Sequence, residues 1–305
     1  MNVLNFGDFD GASATARTPV VGKLDEALSH LGFSVVRNIG IEQELIDSAF
    51  ACSREFFDQP FAHKIGYEYA GPEQNFGYQP TLSERLSPDA PADLKEAFTM
   101  RNLIERLDEE AAWPSPRFKA VSEALFKACF NGASQILQAC ALALGERASF
   151  FEDMHSGENA TLRFLHYPCS GFSVEQLQMG AGAHTDYGSV SLLFQDKING
   201  LQLRDRGGNW VNCLPVENAV NVNTGDMMER WSNRRYPSTE HRVLPKIGDS
   251  DRYSIAFFMD PDDAAMIEVL PACVVPGSQP CNDYHCDRRL QYRNRKYKAF
   301  SEPRY

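Results

Sequence analysis

The chain has 305 residues, of which 43% are hydrophobic, and its formal net charge is −11. A chain of this length and apolar content can bury a large core, which excludes a disordered protein. The acidic charge argues against binding to a nucleic-acid backbone, because that requires clustered Lys and Arg. No run of about 18 consecutive apolar residues is present, so no membrane-spanning helix is expected.

Two further features of the composition bear on location and redox state. The start of the chain lacks the basic start and apolar run of a secretory signal, which predicts a cytoplasmic protein. Five of the eight cysteines are scattered through apparent core and strand segments, which favours free thiols over disulfides, and the other three cluster near the end without a Cys-x-x-Cys pair. No obligate protein partner is indicated.

The first half of the chain is predicted to contain three helices and one short strand. Apolar residues recur at helical spacing between residues 20 and 31, and Gly32 marks the end of that helix. A strand follows at residues 33–36. Amphipathic helices are predicted at residues 42–57 and 118–144, and the second is long enough to pack behind a sheet.

Residues 70–116 contain many Pro, Gly and charged residues and show weak periodicity. Loops of this length in a compact protein are commonly functional. We interpret the stretch as part of a substrate entrance, with four candidate substrate-binding residues: Asn75, Phe76, Tyr78 and Phe98. The alternative is that the aromatic side chains anchor the loop to the core.

The second half of the chain changes at residue 161 to short β-rich runs separated by Gly, Asn and Pro. Strands are predicted at residues 161–167, 190–195, 200–204, 219–223, 239–243 and 252–259. Many short strands of this kind favour an antiparallel sandwich or barrel. Residues 288–298 are locally basic, which predicts a solvated carboxy-terminal helix or, alternatively, a lid that draws in an anionic substrate.

These elements predict one compact mixed α/β (α+β) unit in two parts. Residues 1–115 would hold the amino-terminal helices, the strand and the entrance loops. Residues 116–305 would hold the long helix, a β-rich core and the carboxy-terminal helix.

His184, Asp186 and His241 form the most informative pattern in the chain. If residues 183–187 lie on a β-strand, His184 and Asp186 share one face, because alternate residues of a strand point the same way. His241 is far enough along the chain to return on a neighbouring strand. Two imidazoles and one carboxylate hold one face of an octahedral Fe(II) and leave the opposite positions open for reactants. The pattern therefore predicts an iron site.

Arg252 and Ser254 are again two residues apart, so on a strand they too share a face. The Arg guanidinium binds a carboxylate through a planar fork, and a neighbouring hydroxyl adds a hydrogen bond. The pair suits the distal carboxylate of a dicarboxylate cosubstrate. A second triplet, His285-Cys286-Asp287, has the same form as His184-Thr185-Asp186, but no histidine follows it, so no iron is expected there.

Six stretches resemble the isopenicillin N synthase-like family of Fe(II)/2-oxoglutarate-dependent dioxygenases: residues 162–168, 182–196, 200–202, 222–231, 238–243 and 252–258. The iron-binding stretch reads Gly-Ala-His-Thr-Asp-Tyr-Gly-Ser at residues 182–189. The amino-terminal half matches more loosely. Where plant members often have Asn-Tyr-Tyr-Pro, this chain has Leu165-His166-Tyr167-Pro168, and Tyr167 matches the tyrosine that commonly contacts 2-oxoglutarate in the family.

The resemblance implies a double-stranded β-helix, or jelly roll, at about residues 160–270, flanked by the amino-terminal helices and the carboxy-terminal helix. It also implies that His184, Asp186 and His241 bind Fe(II), and that 2-oxoglutarate and O2 are cosubstrates. The expected reaction is hydroxylation, desaturation or rearrangement of a small metabolite, as in secondary metabolism, with release of succinate and CO2.

Two alternatives remain open at this point. One is an iron oxidase of the isopenicillin N synthase type, which uses O2 without 2-oxoglutarate and also carries the Arg-x-Ser motif. The other is a barrel that binds a small ligand without chemistry, which the complete set of three metal ligands disfavours.

Overall fold

A computed structural model describes residues 2–7, 9, 14–71, 73–86, 91–103, 112–169, 178–246, 250–274, 277 and 284–285. Its α-helices are α1 (Ala14–Leu31), α2 (Gln43–Phe57), α3 (Phe61–Lys64), α4 (Pro116–Ala143) and α5 (Asp226–Trp231). Short 3-10 helices lie at Ile65–Tyr67, Glu152–Met154 and Pro271–Cys273. Among the described residues, no helix is both long enough and apolar enough to cross a membrane.

The strands alternate with these helices in the first half and follow one another in the second. They are β1 (Val3–Asn5), β2 (Phe33–Arg37), β3 (Gly77–Gln79), β4 (Glu96–Arg101), β5 (Thr161–Tyr167), β6 (Ala181–His184), β7 (Val190–Gln195), β8 (Leu201–Arg204), β9 (Trp210–Asn212), β10 (Val220–Thr224), β11 (His241–Val243), β12 (Arg252–Met259), β13 (Met266–Ile267) and β14 (Tyr284–His285).

Two facing sheets form the jelly-roll core. The large sheet has the order β1-β2-β10-β7-β12-β5-β4-β3, and the small sheet has the order β6-β11-β8-β9. Neighbouring strands are antiparallel except β1 and β2, which are parallel. Strands from both predicted parts of the chain pair in the large sheet, because β2 pairs with β10 and β4 with β5.

The large sheet separates two apolar clusters. Behind it, helices α1, α2 and α4 pack in the main core, which includes Leu28, Leu125 and Phe257. In front of it, side chains of both sheets, such as Ala256 and Leu203, fill the space between the sheets. Because strand residues alternate between faces, one strand contributes to both clusters.

Local sequence signals account for where the main helices begin and end. The hydroxyl of Ser115 accepts a hydrogen bond from the backbone N–H of Phe118 (3.0 Å), and Pro116 takes the first turn of α4, where its missing N–H costs nothing. Gly32 ends α1 with a φ of +64°, and a Cβ there would lie 2.1 Å from the carbonyl oxygen of Pro237. Only glycine therefore permits the close turn from α1 into β2.

The structure corrects the prediction of an irregular region at residues 70–116, because this region contributes β3 and β4 to the large sheet. Strand β4 is buried on both faces, so it lacks the apolar and polar alternation that identifies a half-exposed strand. The strands predicted at residues 161–167, 190–195 and 252–259 have the bounds observed for β5, β7 and β12. The helix or lid predicted at residues 288–298 lies outside the described residues.

Candidate active site

The two histidines of the predicted iron site are neighbours in the small sheet. His184 ends β6 and His241 begins β11, and the two residues pair directly across the strands. Their ring centroids lie 4.3 Å apart. The strand predicted at residues 183–187 is wrong for Asp186, because β6 ends at His184. The Asp186 carboxylate reaches the histidines from the loop that follows β6. Its Oδ1 lies 4.0 Å from Nε2 of His184 and 3.7 Å from Nε2 of His241.

The Nδ1 atom of each histidine is hydrogen-bonded to a backbone carbonyl oxygen. Nδ1 of His184 lies 2.7 Å from the carbonyl oxygen of Gly182, and Nδ1 of His241 lies 3.1 Å from that of Thr239. A carbonyl oxygen only accepts, so both Nδ1 atoms donate, and the Nε2 lone pairs point toward Asp186. Burial, and to a lesser extent the neighbouring His241, lowers the pKa of His184 to about 3, which keeps it in the neutral form that binds metals.

The Asp186 carboxylate is held by two side chains of the large sheet. Its Oδ2 accepts hydrogen bonds from the Ser191 hydroxyl on β7 and the Asn223 amide on β10, each at 2.6 Å. Burial alone would raise the pKa of Asp186, but the two adjacent imidazoles and these hydrogen bonds outweigh it and lower the pKa. The carboxylate is therefore ionised, with Oδ1 turned toward the histidines.

This donor set fits a divalent iron ion. Two neutral imidazole nitrogens and one carboxylate oxygen face a common point, as in the facial arrangement of non-haem Fe(II) oxygenases, which leaves reactant positions open. Among the described residues, no other three His, Cys, Asp or Glu side chains form such a group. His285 lies on β14, away from this strand pair, and Cys286 and Asp287 lie outside the described residues.

The predicted cosubstrate residues lie together on the inner face of the large sheet. Arg252 is 1% exposed, and its guanidinium donates to the Gln195 side-chain oxygen (3.1 Å) and to the Ser254 hydroxyl (3.4 Å). The ring of Tyr167, which pairs with Arg252 across β5 and β12, lies 4.8 Å from the guanidinium carbon.

Arg252 has unused capacity to bind an anion. Its Nε atom is buried without a hydrogen-bond partner. Over the part of the chain that the structure describes, no carboxylate lies within ion-pair distance of it. A buried cation that no carboxylate contacts is costly, so this position suits a ligand carboxylate.

The predicted metal ligands and the predicted cosubstrate residues face one cavity of about 920 Å³. Of the four candidate substrate residues, Asn75 and Tyr78 border this cavity, although Tyr78 also belongs to the main core, where its hydroxyl donates to Glu96. Phe76 and Phe98 lie in the main core instead and contact each other with ring centroids 5.5 Å apart.

One wall of the cavity carries three charged side chains, Glu84, Lys95 and Arg163, to which the sequence had suggested no role. Arg163 donates to both oxygens of Glu84 at 2.9 Å, and the Lys95 ammonium lies 3.2 Å from Glu84 and 2.5 Å from Asp93. Burial alone would raise the pKa of Glu84, but Arg163 and Lys95 outweigh it and lower the pKa to about 2. Glu84 is therefore ionised, and each cation of this charged wall contacts a carboxylate, of Glu84 or of Asp93.

Comparison with known proteins agrees with this geometry. The family model described as the 2OG-Fe(II) oxygenase superfamily matches residues 158–261, and one described as non-haem dioxygenase in morphine synthesis, N-terminal, matches residues 1–129. A 2-oxoglutarate-Fe(II) type oxidoreductase of Emericella nidulans (hxnY) is 33% identical over 91% of this chain and 84% of its own length. A homoarginine-6-hydroxylase of Arabidopsis thaliana is 31% identical over 89% of this chain and 85% of its own length.

A solved structure shares the whole architecture. A full-length Neurospora crassa protein, crystallised in complex with alpha-KG (2-oxoglutarate), superposes with a TM-score of 0.87 at 29% identity, over 97% of this chain and 96% of that chain. The same Neurospora protein has been crystallised with alpha-KG and thymine.

The chain belongs to the 2OG-Fe(II) oxygenase superfamily, in its isopenicillin N synthase-like branch, and has that family's double-stranded β-helix. It is an Fe(II)- and 2-oxoglutarate-dependent dioxygenase that acts on a small molecule. The predicted fold, reaction class and cofactors are thereby confirmed.

Proposed function

We propose that His184, Asp186 and His241 bind the Fe(II) of this dioxygenase, and that Arg252 and Ser254 bind the distal carboxylate of 2-oxoglutarate. One observation carries the assignment: two unused imidazole nitrogens and a carboxylate oxygen face the same cavity as a buried arginine that lacks a carboxylate partner among the described residues. Together they offer one site for a metal and one for a dianion.

When bound, Fe(II) and 2-oxoglutarate supply the oxidation, in which O2 converts 2-oxoglutarate to succinate and CO2 while the substrate is oxidised. The side chains bind and orient these reactants. Arg252 and Ser254 offer charge-assisted hydrogen bonds in a water-poor space between the sheets, where such bonds are strong and fix orientation. Tyr167 packs on the Arg252 guanidinium and holds it toward the cavity.

We infer that the substrate is a small polar metabolite without a negative charge at the charged wall of Glu84, Lys95 and Arg163. Both cations of this wall are already paired with carboxylates, so a substrate carboxylate or phosphate would have to displace Glu84 or Asp93. A neutral heterocycle with donor and acceptor groups, such as the thymine bound by the Neurospora relative, meets this description.

The assignment is tested by O2-dependent formation of succinate from 2-oxoglutarate in the presence of Fe(II). His184→Ala and His241→Ala are expected to abolish turnover and iron binding. His285→Ala, in the second triplet, is the matched control and is expected to retain both. Loss of iron in the control would mean that the wrong triplet was chosen.

Arg252→Ala separates this proposal from an iron oxidase that does not use 2-oxoglutarate. The variant is expected to raise the KM for 2-oxoglutarate by about a hundredfold, as for a buried charged hydrogen-bond partner. An unchanged KM would contradict the role of Arg252.

The substrate is sought by mass spectrometry in a pool of neutral, cationic and anionic metabolites, as products that gain one oxygen atom or lose two hydrogen atoms. Conversion of anionic compounds alone, with activity that depends on Lys95 or Arg163, would contradict the inferred substrate class. The expected cytoplasmic location stays a prediction, which cell fractionation would test.

A further inference from the structure

A row of charged groups lies on the helix side of the large sheet, behind the proposed 2-oxoglutarate site, and is buried except at its half-exposed end, Asp251. His166 is 5% exposed and stands between two carboxylates. Its Nδ1 lies 2.7 Å from Oε1 of Glu96, and its Nε2 lies 3.0 Å from Oδ2 of Asp251. The Lys64 ammonium lies 2.8 Å from the other oxygen of Glu96. The row therefore alternates in charge from Lys64 through Glu96 and His166 to Asp251.

The two hydrogen bonds of His166 indicate which protonation state of its ring satisfies both contacts. An ionised carboxylate only accepts hydrogen bonds, whereas a neutral imidazole donates through one nitrogen alone. Burial would raise the pKa of Glu96, but hydrogen bonds from His166, Lys64 and Tyr78 outweigh it and lower the pKa, so Glu96 is ionised. Both contacts of His166 are therefore satisfied when the ring carries two protons and a positive charge.

The row is joined to the proposed cosubstrate site through two strands. His166 immediately precedes Tyr167 on β5, and Asp251 immediately precedes Arg252 at the start of β12. Arg252 pairs with Tyr167 across these strands, and the next pair is Tyr253 with His166. The His166 ring stacks on that of Tyr253 at a centroid distance of 4.6 Å and an angle of 15°.

The alternation of side chains along a strand allows a contact on one face of the sheet to orient Tyr167 and Arg252 on the other face. Because successive side chains point to opposite faces, the His166 bridge acts on the helix side while Tyr167 and Arg252 face the cavity. The bridge crosses from β4, which carries Glu96, over β5 to the residue before β12. It thus ties three adjacent chain segments together at the end of the sheet where the carboxylate anchor begins.

We propose that His166 is a positioning residue for 2-oxoglutarate. As an imidazolium between Glu96 and Asp251, it holds the ends of β5 and β12. Tyr167 and Arg252 thereby keep the orientation that binds the distal carboxylate. The proposal rests on the role assigned to Arg252 under the proposed function. It gives His166 no contact with the metal or the substrate.

The first test replaces His166 with Gln, which removes the charge and one of the two donors. The KM for 2-oxoglutarate is expected to rise about tenfold while kcat stays within about twofold, because the anchor is misplaced and the metal ligands are not. Equilibrium dialysis of 2-oxoglutarate against the Mn(II)-loaded protein is expected to show the same loss of affinity without turnover. The affinity for Mn(II) itself is expected to be unchanged.

A matched control is available in His155, which is also buried but contacts only the Phe151 carbonyl (2.7 Å) and the Ser189 hydroxyl (2.8 Å) among its described hydrogen-bond partners. His155→Gln is expected to lower stability and leave the KM for 2-oxoglutarate unchanged. Asp251→Asn provides a second route to the same bridge, at a half-exposed position. It is expected to raise the KM in the same direction as His166→Gln.

A spectroscopic readout addresses the bridge without any ligand. In ¹⁵N NMR spectra, the imidazole resonances that disappear in His166→Gln are expected to show both ring nitrogens protonated at neutral pH. A neutral ring would overturn the proposal. Unchanged 2-oxoglutarate affinity in folded His166→Gln and Asp251→Asn would also overturn it. A joint fall of Mn(II) affinity and kcat would overturn it as well, because it would indicate a general loss of structure.

The failure of this proposal is distinguishable from the failure of the proposed function. If Arg252→Ala leaves 2-oxoglutarate affinity intact, the role of Arg252 is wrong, and the route from His166 through Arg252 fails with it. If Arg252→Ala weakens binding while both bridge variants do not, only the role of His166 is overturned. If His166→Gln does not fold, the Asp251→Asn affinity decides.

Discussion

Asn223→Ala is expected to weaken metal binding although Asn223 is not a ligand. The Asn223 amide donates to Oδ2 of Asp186 at 2.6 Å, and the Ser191 hydroxyl donates to the same oxygen at the same distance. A hydrogen bond to a charged group contributes about 1.5–3 kcal/mol, which corresponds to roughly a 10- to 100-fold change in affinity. Because Ser191 still holds the carboxylate in the variant, we expect a loss near the lower limit, about tenfold.

The assay is an anaerobic titration of the apo-protein with Fe(II), in competition with a chromophoric chelator. Asn221→Ala is the matched control, since Asn221 lies on the same strand, is equally buried and donates to the Leu193 carbonyl at 3.3 Å instead of to Asp186. It is expected to lose stability and keep its iron affinity. Equal losses in the two variants, or none in Asn223→Ala, would refute the claim that Asn223 orients the ligand.

Gly200→Ala is expected to raise the KM for 2-oxoglutarate about tenfold and leave iron affinity unchanged. The added Cβ would lie 3.2 Å from Cδ and 3.3 Å from Nε of Arg252 and displace the guanidinium. Steady-state kinetics at varied 2-oxoglutarate would show the change, and an unchanged KM would mean that the guanidinium adapts. Glu84→Gln is expected to cost about 3 kcal/mol of unfolding free energy above pH 4.5, since a pKa lowered from 4.5 to about 2 stabilises the ionised folded state by that amount. This contribution is complete above the unfolded pKa and is lost as pH falls from 4.5 toward about 2, so urea titrations of the two proteins should converge toward acid pH. A difference that is independent of pH would contradict the charge pairing of Glu84 with Arg163 and Lys95.

The strands that carry the site were predictable because local signals identify them. Strand β12 is rich in Tyr, Ile and Phe, contains no Gly or Pro, and ends before Asp260 and Pro261, so its end follows from the sequence. The pairing of His184 with His241 could also be anticipated, because metal ligands have few chemical alternatives. The position of Asp186 in a loop could not, since periodicity does not locate the end of a strand as short as β6.

The polar networks were beyond sequence reasoning because their partners are distant in the chain. Glu84 and Arg163 are separated by 79 positions, and neither lies in a motif that suggests the other. The pairing of β4 with β5, together with the segment that precedes β4, brings such groups together in the folded protein. A signal was present for Asn223, since polar residues alternate with valines in β10, a strand that is buried throughout. A buried strand with regularly placed amides indicates that those amides have partners inside the protein.

The proposed iron-binding histidines and the proposed carboxylate anchor lie on different sheets, so their spacing depends on how the two sheets pack together. His184 and His241 belong to the small sheet and Arg252 to the large one, so the interdigitated side chains between the sheets fix the gap that a bridging dicarboxylate must span. Leu203, fully buried in that layer and not part of the cavity wall, acts as a spacer. A smaller side chain there would leave a void into which the sheets relax only in part, so the distance between the proposed iron site and the proposed carboxylate anchor is a property of the interior packing as well as of the site residues.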